Sequence, residues 1–295
     1  MTWRDHGRHR VWLGDCLDML RALPDTSVDA VFTDPPYPSA SREYGRWTGP
    51  EWLDLVRAVL IESRRVCKPS GSIVLVYKPP SLRVGRMLPE SYALMHEIAS
   101  GALLPGWGIV QDAYWWNHAT PPTVHCQRRH GLTRPSMAWM VWAGSEDCYR
   151  AQDRVLWEAA ASTKALDTED RALRRFPSGQ TMRAGRVAAT VAERGGSTPF
   201  NLLPIGNANS SSSAGASGHG AGTPAPLVSW WLRYVVPPGG TVVDPFLGSG
   251  TTMLEAERLG LTCIGAERFP KYHDVIAARW ERESGHEQPS LWGAA

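Results

Sequence analysis

Two short segments, one near each end of the chain, carry residue types that can do chemistry. Asp34-Pro35-Pro36-Tyr37 brings a carboxylate, a proline carbonyl and an aromatic ring within four residues. A second segment over 244–252 reads DPFLGSGTT and places an acid ahead of a turn that contains glycine. The first combination suits a planar amine, and the second suits a nucleoside.

The amine of an adenine or cytosine ring is a poor nucleophile because its lone pair is delocalised into the ring. Hydrogen bonds from its two hydrogens to Asp34 and to the carbonyl of Pro35 would draw the nitrogen towards a tetrahedral geometry. Pro35 and Pro36 stiffen the loop that holds these acceptors. The ring of Tyr37 can stack on a base that has rotated out of a duplex. The alternative is a turn that merely ends a strand.

The glycine turn over 244–252 favours a ligand close to the backbone. Gly248 and Gly250 allow close approach and positive φ angles. The helix that follows offers free N–H groups and partial positive charge, and Thr251 and Thr252 are expected to cap it and to donate hydroxyl contacts. Taken alone, this turn could equally be a structural connection between a strand and a helix.

An acid at the end of the next strand shifts that balance towards a cofactor site. Glu267 comes 23 residues after Asp244, at a distance that suits hydrogen bonds to ribose hydroxyls. The dinucleotide pattern G-x-G-x-x-G is not met, because Met253 stands at its third glycine, and no G-K-[ST] phosphate motif is present. A nucleoside without phosphates, S-adenosyl-L-methionine, is the ligand that fits best.

Apolar runs and helical periodicity predict the elements that position these segments. Strands are predicted over 11–13, 28–33, 72–77, 109–116, 137–142, 241–243 and 262–265, and helices over 17–23, 51–66, 87–100, 227–234 and 251–259. This alternation predicts an α/β fold with a doubly wound, mostly parallel sheet. Asp34-Pro35-Pro36-Tyr37 directly follows the strand over 28–33, at the end where open α/β sheets bind ligands.

The alternation stops over 144–220, which predicts three parts of the chain. These are a catalytic half over 1–143, an insertion over 144–220 to which the family resemblance given below assigns target recognition, and a cofactor-binding half over 221–295. Residues 120–194 hold 12 Lys and Arg against eight Asp and Glu, a local charge of +4. That charge fits either a nucleic-acid contact or a solvated face. The Ser/Gly run over 207–222 is predicted to be a flexible linker.

Composition adds limits but no function. The net charge of the 295 residues is +2, so an attraction to nucleic acid would need a local basic surface. The polar start and the lack of an apolar run of 18 residues predict a cytoplasmic protein without a membrane partner.

The five cysteines of the chain include no C-x-x-C pair; Cys126, between His125 and His130, comes nearest to a metal cluster. Buried, reduced thiols are the expected state, and no metal is predicted.

The order of the motifs resembles a known family, the DNA amino-methyltransferases of the permuted beta group. The stretch over 13–37 matches the opening segment of that family, and the stretch from about 219 to 272 matches its closing segment. The resemblance implies a Rossmann-like S-adenosylmethionine-dependent methyltransferase fold with a small inserted recognition region. Where the family often has His-Pro-Thr-x-Lys-Pro, this chain has His219-Gly220-Ala221-Gly222-Thr223-Pro224, which leaves the role of His219 open.

Site residues carry over from the resemblance by position. The target-base residues would be Asp34, Pro35, Pro36 and Tyr37. The cofactor-binding residues would be Asp15 and Cys16 at the adenine, Asp244, Phe246, Gly248, Ser249, Gly250, Thr251 and Thr252 at the methionine and sulfonium, and Glu267 at the ribose.

The expected reaction is transfer of a methyl group to N6 of adenine in double-stranded DNA after base flipping. An acid at the first catalytic position favours adenine, because related cytosine-N4 enzymes more often carry Ser there. Cytosine-N4 methylation is the alternative, and a non-catalytic DNA- or nucleoside-binding module is an alternative of a different class. An RNA or protein amine is a third, which the motif order disfavours. The resemblance also allows a homodimer, a cognate restriction nuclease and a bacterial or phage-infected host cell.

Overall fold

The computed structural model describes residues 2–37, 47–77, 88–118, 137–159, 173–175, 177–206 and 222–284. These residues form two compact units, the larger drawn from 1–150 and 201–287 and the smaller from 151–200. The predicted insertion over 144–220 therefore contains residues of both units, and its boundaries and its part in target recognition stay predictions. The Cys126 cluster and His219 lie outside the described residues.

The larger unit is an α/β structure. Its strands are β1 (Thr2–His6), β2 (His9–Leu13), β3 (Val28–Thr33), β4 (Cys67–Tyr77), β5 (Gly108–Trp116), β6 (Met137–Gly144), β9 (Leu202–Pro204), β10 (Thr241–Asp244) and β11 (Thr262–Glu267). Its helices are α1 (Cys16–Ala22), α2 (Gly49–Val66), α3 (Pro89–Ala99), α5 (Ala225–Val235), α6 (Thr251–Arg258) and α7 (Pro270–Glu283). The smaller unit contains β7 (Leu173–Arg175), β8 (Thr181–Arg183), α4 (Ala184–Arg194) and a 3-10 turn over Gln152–Val155.

The strands of the larger unit form one nine-stranded sheet in the order β1-β2-β11-β10-β3-β4-β6-β5-β9. Five neighbouring strands, from β2 through β11, β10 and β3 to β4, run parallel. Strand β6 is antiparallel to both β4 and β5, β1 is antiparallel to β2, and β9 is parallel to β5. The predicted mostly parallel α/β sheet is thus confirmed.

Strand β3 lies near the middle of this sheet because it can be buried on both faces. All six of its residues are buried, and its neighbours are β10 on one side and β4 on the other. Such continuous apolar runs are typical of parallel strands covered by helices. The parallel arrangement brings the carboxyl ends of β3, β10 and β11 to one edge of the sheet, which is where Asp34, Asp244 and Glu267 lie.

Local sequence signals fix the helices that cover the sheet near this edge. Thr48 and Glu51 form a reciprocal capping box at the start of α2, and the side chain of Trp52 is buried one residue later. Helix α1 begins behind Asp15, whose carboxylate Oδ1 accepts a hydrogen bond from the N–H of Leu17 at 2.9 Å. A residue predicted to contact the cofactor is therefore also a helix cap.

Some elements were not predicted, and their burial explains why. Strand β1 is an edge strand without a buried residue, so it lacks a clear apolar alternation. Helix α7 buries His273, Ile276, Arg279 and Glu283, which are spaced as one helical face but are mostly polar. A hydrophobic pattern cannot reveal a helix whose buried face consists largely of charged and polar groups.

Candidate active site

A cavity in the larger unit opens at the edge where β3, β10 and β11 end. Among its lining residues are Gly14, Trp47, Leu55, Gly222, Thr223, Arg268, Phe269 and Tyr272. It is also lined by every residue predicted from the sequence to form the site, with the exception of Gly250. Segments that are far apart in the chain therefore meet in one place, as the parallel order of the strands requires.

The catalytic candidate Asp34 follows the last residue of β3 and lines the cavity. Its Oδ1 accepts a hydrogen bond from the Tyr37 hydroxyl at 2.7 Å, and its Oδ2 accepts one from Thr223 Oγ1 at 2.8 Å. The side chain stays partly accessible from the cavity, yet desolvation by the surrounding protein raises its pKa to about 6. The two hydroxyl donors oppose that shift because they stabilise the carboxylate.

The glycine turn after β10 has the backbone that its sequence predicts. Gly248 has a φ of 56° and Gly250 a φ of 84°, which other residues rarely adopt. Gly250 is the N-cap of α6, so the expectation that Thr251 and Thr252 cap this helix was wrong. They are its first two helical residues. Gly250 lies behind the cavity wall, where an added Cβ would meet Ile276 Cγ1 at 3.1 Å.

Asp244 is buried at the base of this turn, and both of its carboxylate oxygens are engaged. Oδ1 accepts a hydrogen bond from the N–H of Phe246 at 3.0 Å, and Oδ2 accepts one from Thr252 Oγ1 at 2.6 Å. Burial raises the pKa of Asp244 to about 7, and the negative charges of Asp34 and Glu267 add to that rise. The hydroxyl of Thr252 is thus directed at Asp244.

Glu267 ends β11 beside this turn and is also buried. Its Oε1 accepts a hydrogen bond from the N–H of Phe269 at 2.8 Å, and its carbonyl accepts one from the N–H of Gly14 at 3.1 Å. Burial raises the pKa of the Glu267 carboxyl to about 7. The second contact brings the Asp15 and Cys16 loop next to the Glu267 strand end. Burial raises the pKa of the Cys16 thiol to about 12, so it presents a neutral surface.

Two functional candidates were missed by the sequence analysis. Thr223 bonds Asp34 across 189 positions of the chain, a contact that no local pattern reveals. Arg279, only 2% exposed, reaches the glycine turn from α7: its Nη1 donates to the carbonyl of Ser249 at 2.6 Å, to Ser249 Oγ at 3.1 Å and to Thr251 Oγ1 at 3.3 Å. An arginine in a predominantly polar helix gives no sequence signal for such a role.

The residues of the cavity fit a nucleoside with a positive charge. A carboxylate at a strand end suits ribose hydroxyls, and a glycine turn ahead of a helix N-terminus suits a carboxylate. Three acidic side chains with raised pKa values, Asp34, Asp244 and Glu267, share the cavity wall and would be stabilised in their charged forms by a cation. Among the described residues, no group of three His, Cys, Asp or Glu is placed to hold a metal ion.

Solved structures share this fold. One described as the PvuII DNA methyltransferase, cytosine-N4-specific, aligns with a TM-score of 0.70 at 23% identity over 92% of this chain and 86% of that one. The structure of TTHA0409 of Thermus thermophilus, complexed with S-adenosyl-L-methionine, aligns with a TM-score of 0.59 at 21% identity over 94% of this chain and 96% of that one. The fold of the larger unit is that of an S-adenosylmethionine-dependent methyltransferase.

The sequence itself gives the family. Residues 28–279 match the family described as DNA methylase, N6_N4_Mtase. This chain therefore belongs to the N6/N4 amino-methyltransferases of DNA, with S-adenosyl-L-methionine as its cofactor, and the predicted resemblance is confirmed. Type II methyltransferase M.PvuII of Proteus hauseri is 27% identical over 286 residues, which cover 92% of this chain and 83% of that protein.

Within the described residues, no helix is both long and apolar enough to cross a membrane. The described cysteines, Cys16, Cys67, Cys148 and Cys263, are free thiols and are buried.

Proposed function

We propose that this chain methylates the N6 amine of adenine in duplex DNA, with Asp34 and the Pro35 carbonyl as acceptors for the two amine hydrogens. The observation that carries the proposal is the Asp34 carboxylate in the wall of the cavity that also contains the glycine turn and Glu267. A base that enters this cavity would meet the acceptor and the cofactor together. Duplex DNA cannot present its amine there unless the base leaves the stack.

S-adenosyl-L-methionine, when bound, supplies an electrophilic methyl group on its sulfonium. The chain contributes orientation and charge. Asp34 in its charged form accepts a hydrogen bond from the amine, which increases electron density on the nitrogen, and the carboxylate can take up the proton that the amine loses. Tyr37 holds Asp34 through its hydroxyl while its ring is available for the face of the base. Preorganised acceptors of this kind lower the barrier without a metal or a covalent nucleophile.

The cofactor would be bound through different groups. Glu267 is proposed to accept hydrogen bonds from the ribose, and the N–H groups at the start of α6 to meet the carboxylate of the methionine. Asp15 and Cys16 are proposed to lie at the adenine ring, where the neutral thiol offers a small apolar surface. Asp244 is proposed to attract the sulfonium, whose positive charge is lost when the methyl group leaves.

A second candidate, methylation of the N4 amine of cytosine, is favoured by one observation. M.PvuII, the 27% identical relative, has a solved structure described as cytosine-N4-specific. Both reactions require acceptors for two amine hydrogens, and Asp34 with Pro35 would serve either. We favour adenine because position 34 is an acid, whereas the related cytosine-N4 enzymes more often carry Ser there.

The nucleoside product distinguishes the two. The purified protein would be incubated with S-adenosyl-L-methionine carrying a labelled methyl group and with genomic DNA from a host that lacks amino-methylation. The DNA would then be digested, and its nucleosides separated by chromatography and mass spectrometry. We expect labelled N6-methyldeoxyadenosine; labelled N4-methyldeoxycytidine would replace the first candidate with the second.

Two controls test the proposal as a whole. RNA and bovine serum albumin in place of DNA test whether another amine is the acceptor. Asp34→Ala should bind S-adenosyl-L-methionine like the native chain in calorimetry but transfer no label. A native chain that binds the cofactor and labels no polynucleotide would contradict the proposed reaction and indicate a non-catalytic binding module.

Recognition of the DNA is proposed to reside in the inserted region over 144–220, as the sequence analysis predicts. The described part of this region includes α4, which follows directly on β8. A homodimer and a cognate nuclease remain predictions from the resemblance.

A further inference from the structure

The Asp34 carboxylate is held by two hydroxyl groups of very different origin. Tyr37 belongs to the same loop and follows three residues later. Thr223 follows 189 residues later and comes just before α5. Each hydroxyl donates to a different oxygen of the carboxylate, at 2.7 Å and 2.8 Å. The plane of the carboxylate is therefore fixed from both sides.

The hydroxyl of Thr223 has no role as a cap for the helix that follows. The N-cap of α5 is Pro224, and no side-chain cap hydrogen bond forms there. The carbonyl of Pro224 already accepts from the N–H groups of Leu227 and Val228 at 3.0 and 3.2 Å. The bond from Thr223 to Asp34 is thus a tertiary contact to the candidate active site.

We propose that Thr223 is a positioning residue for methyl transfer, which orients the Asp34 carboxylate towards the target amine and favours its charged form. This inference rests on the proposed function. A carboxylate offers about four lone-pair sites on its two oxygens. Two hydroxyl donors occupy one site on each oxygen, so each oxygen retains a site for an incoming amine hydrogen.

The hydroxyl of Thr223 favours the ionised form of Asp34. Desolvation raises the pKa of Asp34 to about 6, and the hydrogen bonds from Tyr37 and Thr223 lower it. Without the Thr223 hydroxyl, a smaller share of Asp34 would be ionised near neutral pH. Hydrogen bonds to the charged form of an acid have this effect because the neutral form accepts them less strongly.

Other groups of the cavity could also titrate, and a test must keep them constant. The titratable or charged residues that line the same cavity are Asp15, Cys16, Tyr37, Asp244, Glu267, Arg268 and Tyr272. Asp244 interacts directly with Asp34, since the charge of Asp34 contributes to the raised pKa of Asp244. Changes at Thr223 leave all of these side chains in place.

The experiment compares Thr223→Val with Thr223→Ser. Valine matches threonine in shape but lacks the hydroxyl, and serine keeps the hydroxyl but lacks the methyl group. Single-turnover methyl transfer to duplex DNA would be measured at saturating cofactor and DNA from pH 5 to pH 8.5. Cofactor affinity and the midpoint of thermal unfolding would be measured for each variant.

We expect Thr223→Val to lower the rate at pH 7 about 10- to 100-fold, the range for a lost hydrogen bond to a charged group. The acidic limb of its pH–rate profile should move to higher pH by about one unit, because loss of a moderate hydrogen bond to the charged form of an acid raises its pKa by about that much. Thr223→Ser should keep the rate within about threefold and leave the limb in place, because the hydroxyl remains. Cofactor affinity should be unchanged in both variants.

Several results would overturn the inference. A valine variant with a native rate and an unshifted limb would show that the hydroxyl does not act on Asp34. Equal losses in both variants with an unshifted limb would assign Thr223 a steric role. If valine lowers the unfolding midpoint, Thr223→Ala, which cannot overfill the site, carries the same test. A native chain without transfer would refute the proposed function instead, and that outcome is seen before any variant is made.

Discussion

The two acids at the ends of β3 and β10 are held in contrasting ways. Asp244 receives its hydrogen bonds from Phe246 and Thr252, two and eight residues further along the chain. Asp34 receives one from Tyr37, three residues on, and one from Thr223, 189 residues on. The glycine turn that contains Asp244 is therefore organised largely by its own segment, whereas the position of Asp34 depends on a partner brought by the fold.

This contrast explains where sequence motifs are informative. A strand, a glycine turn and a helix are adjacent in the chain, so their contacts can be inferred from spacing. A long-range partner leaves no such trace, and Thr223 is visible only once the sheet order is known. Arg279 supports the glycine turn from 30 residues further along the chain, and it tests how far the local organisation of that turn is sufficient.

The largest expected effect concerns Asp34. Asp34→Asn keeps the size of the side chain but replaces one acceptor oxygen with a donor, which would face the hydroxyl of either Tyr37 or Thr223. We expect single-turnover methyl transfer to fall by roughly 10³-fold or more, as for loss of a group that acts in the transition state. The measurement is label transfer to DNA at saturating cofactor.

Asp244→Asn is the matched control for Asp34→Asn, because it makes the same atomic change in the other half. It should weaken cofactor binding while Asp34→Asn leaves that binding within about twofold, since the Asp34 carboxylate is assigned to the base. If both variants lost cofactor affinity to the same extent, the division of the cavity into two halves would be wrong.

A smaller effect is expected for Arg279, which is buried behind the glycine turn. Arg279→Met removes three hydrogen bonds to Ser249 and Thr251 and also breaks the buried ion pair with Glu283, which lies 3.3 Å away. Breaking a buried charge interaction typically costs about 3–5 kcal/mol. We expect the free energy of unfolding in urea to fall by about 3 kcal/mol on that basis.

The Arg279→Met variant should also bind the cofactor more weakly. The reason is that Ser249 and Thr251, which lose their hydrogen bonds to Arg279, lie in the cavity wall. Arg282→Met serves as a control on the same helix, since the Arg282 side chain is 59% exposed. A stable Arg279→Met variant with native cofactor affinity would show that the turn needs no support from α7.

Most of the fold could be predicted from the sequence because its central strands are long apolar runs. Val28–Thr33 is buried along its whole length, and its neighbours share that pattern. The loop and the turn that carry the site then follow from strand ends. What the sequence could not give is the antiparallel pairing of β6 with β4 and β5, the edge strand β1, and a helix with a polar buried face. These depend on tertiary pairing and buried ion pairs, which local patterns do not encode.

The hydroxyl of Thr252 gives a further test of the contrast between Asp34 and Asp244. Thr252→Val deletes the donor that lies 2.6 Å from Asp244 Oδ2. We expect cofactor affinity to fall about tenfold, the lower end for a hydrogen bond to a charged group. The rate at saturating cofactor should stay within about threefold of the native rate, because the Thr223 contact to Asp34 is unchanged.

Calorimetric titration with S-adenosyl-L-methionine provides the measurement for Thr252, with Thr252→Ser as the variant that keeps the hydroxyl. Should Thr252→Val reduce the saturated rate while leaving affinity intact, Thr252 would belong to the catalytic half. That result would remove the contrast between the two acids.

A last prediction concerns the dependence of stability on pH. Burial raises the pKa of Asp34 to about 6 and those of Asp244 and Glu267 to about 7, from usual values near 4. A raised pKa means that the folded state holds the proton more tightly than the unfolded state. The stabilising contribution of each acid is therefore fully present below about pH 4 and is lost as the pH rises through about 6 or 7.

Buried histidines have the opposite effect on stability as the pH rises. The pH dependence of the native chain's stability is therefore not decisive by itself. Burial lowers the pKa of His9 and of His273, which adds stability as the pH rises towards 6.5. The useful quantity is the difference in unfolding midpoint between Asp244→Asn and the native chain, both without cofactor. That difference should shift in favour of the variant between pH 5 and pH 8, because asparagine has no proton to lose. A difference that stays constant would mean that Asp244 titrates as it does in the unfolded chain, and that burial at the base of the glycine turn does not hold its proton.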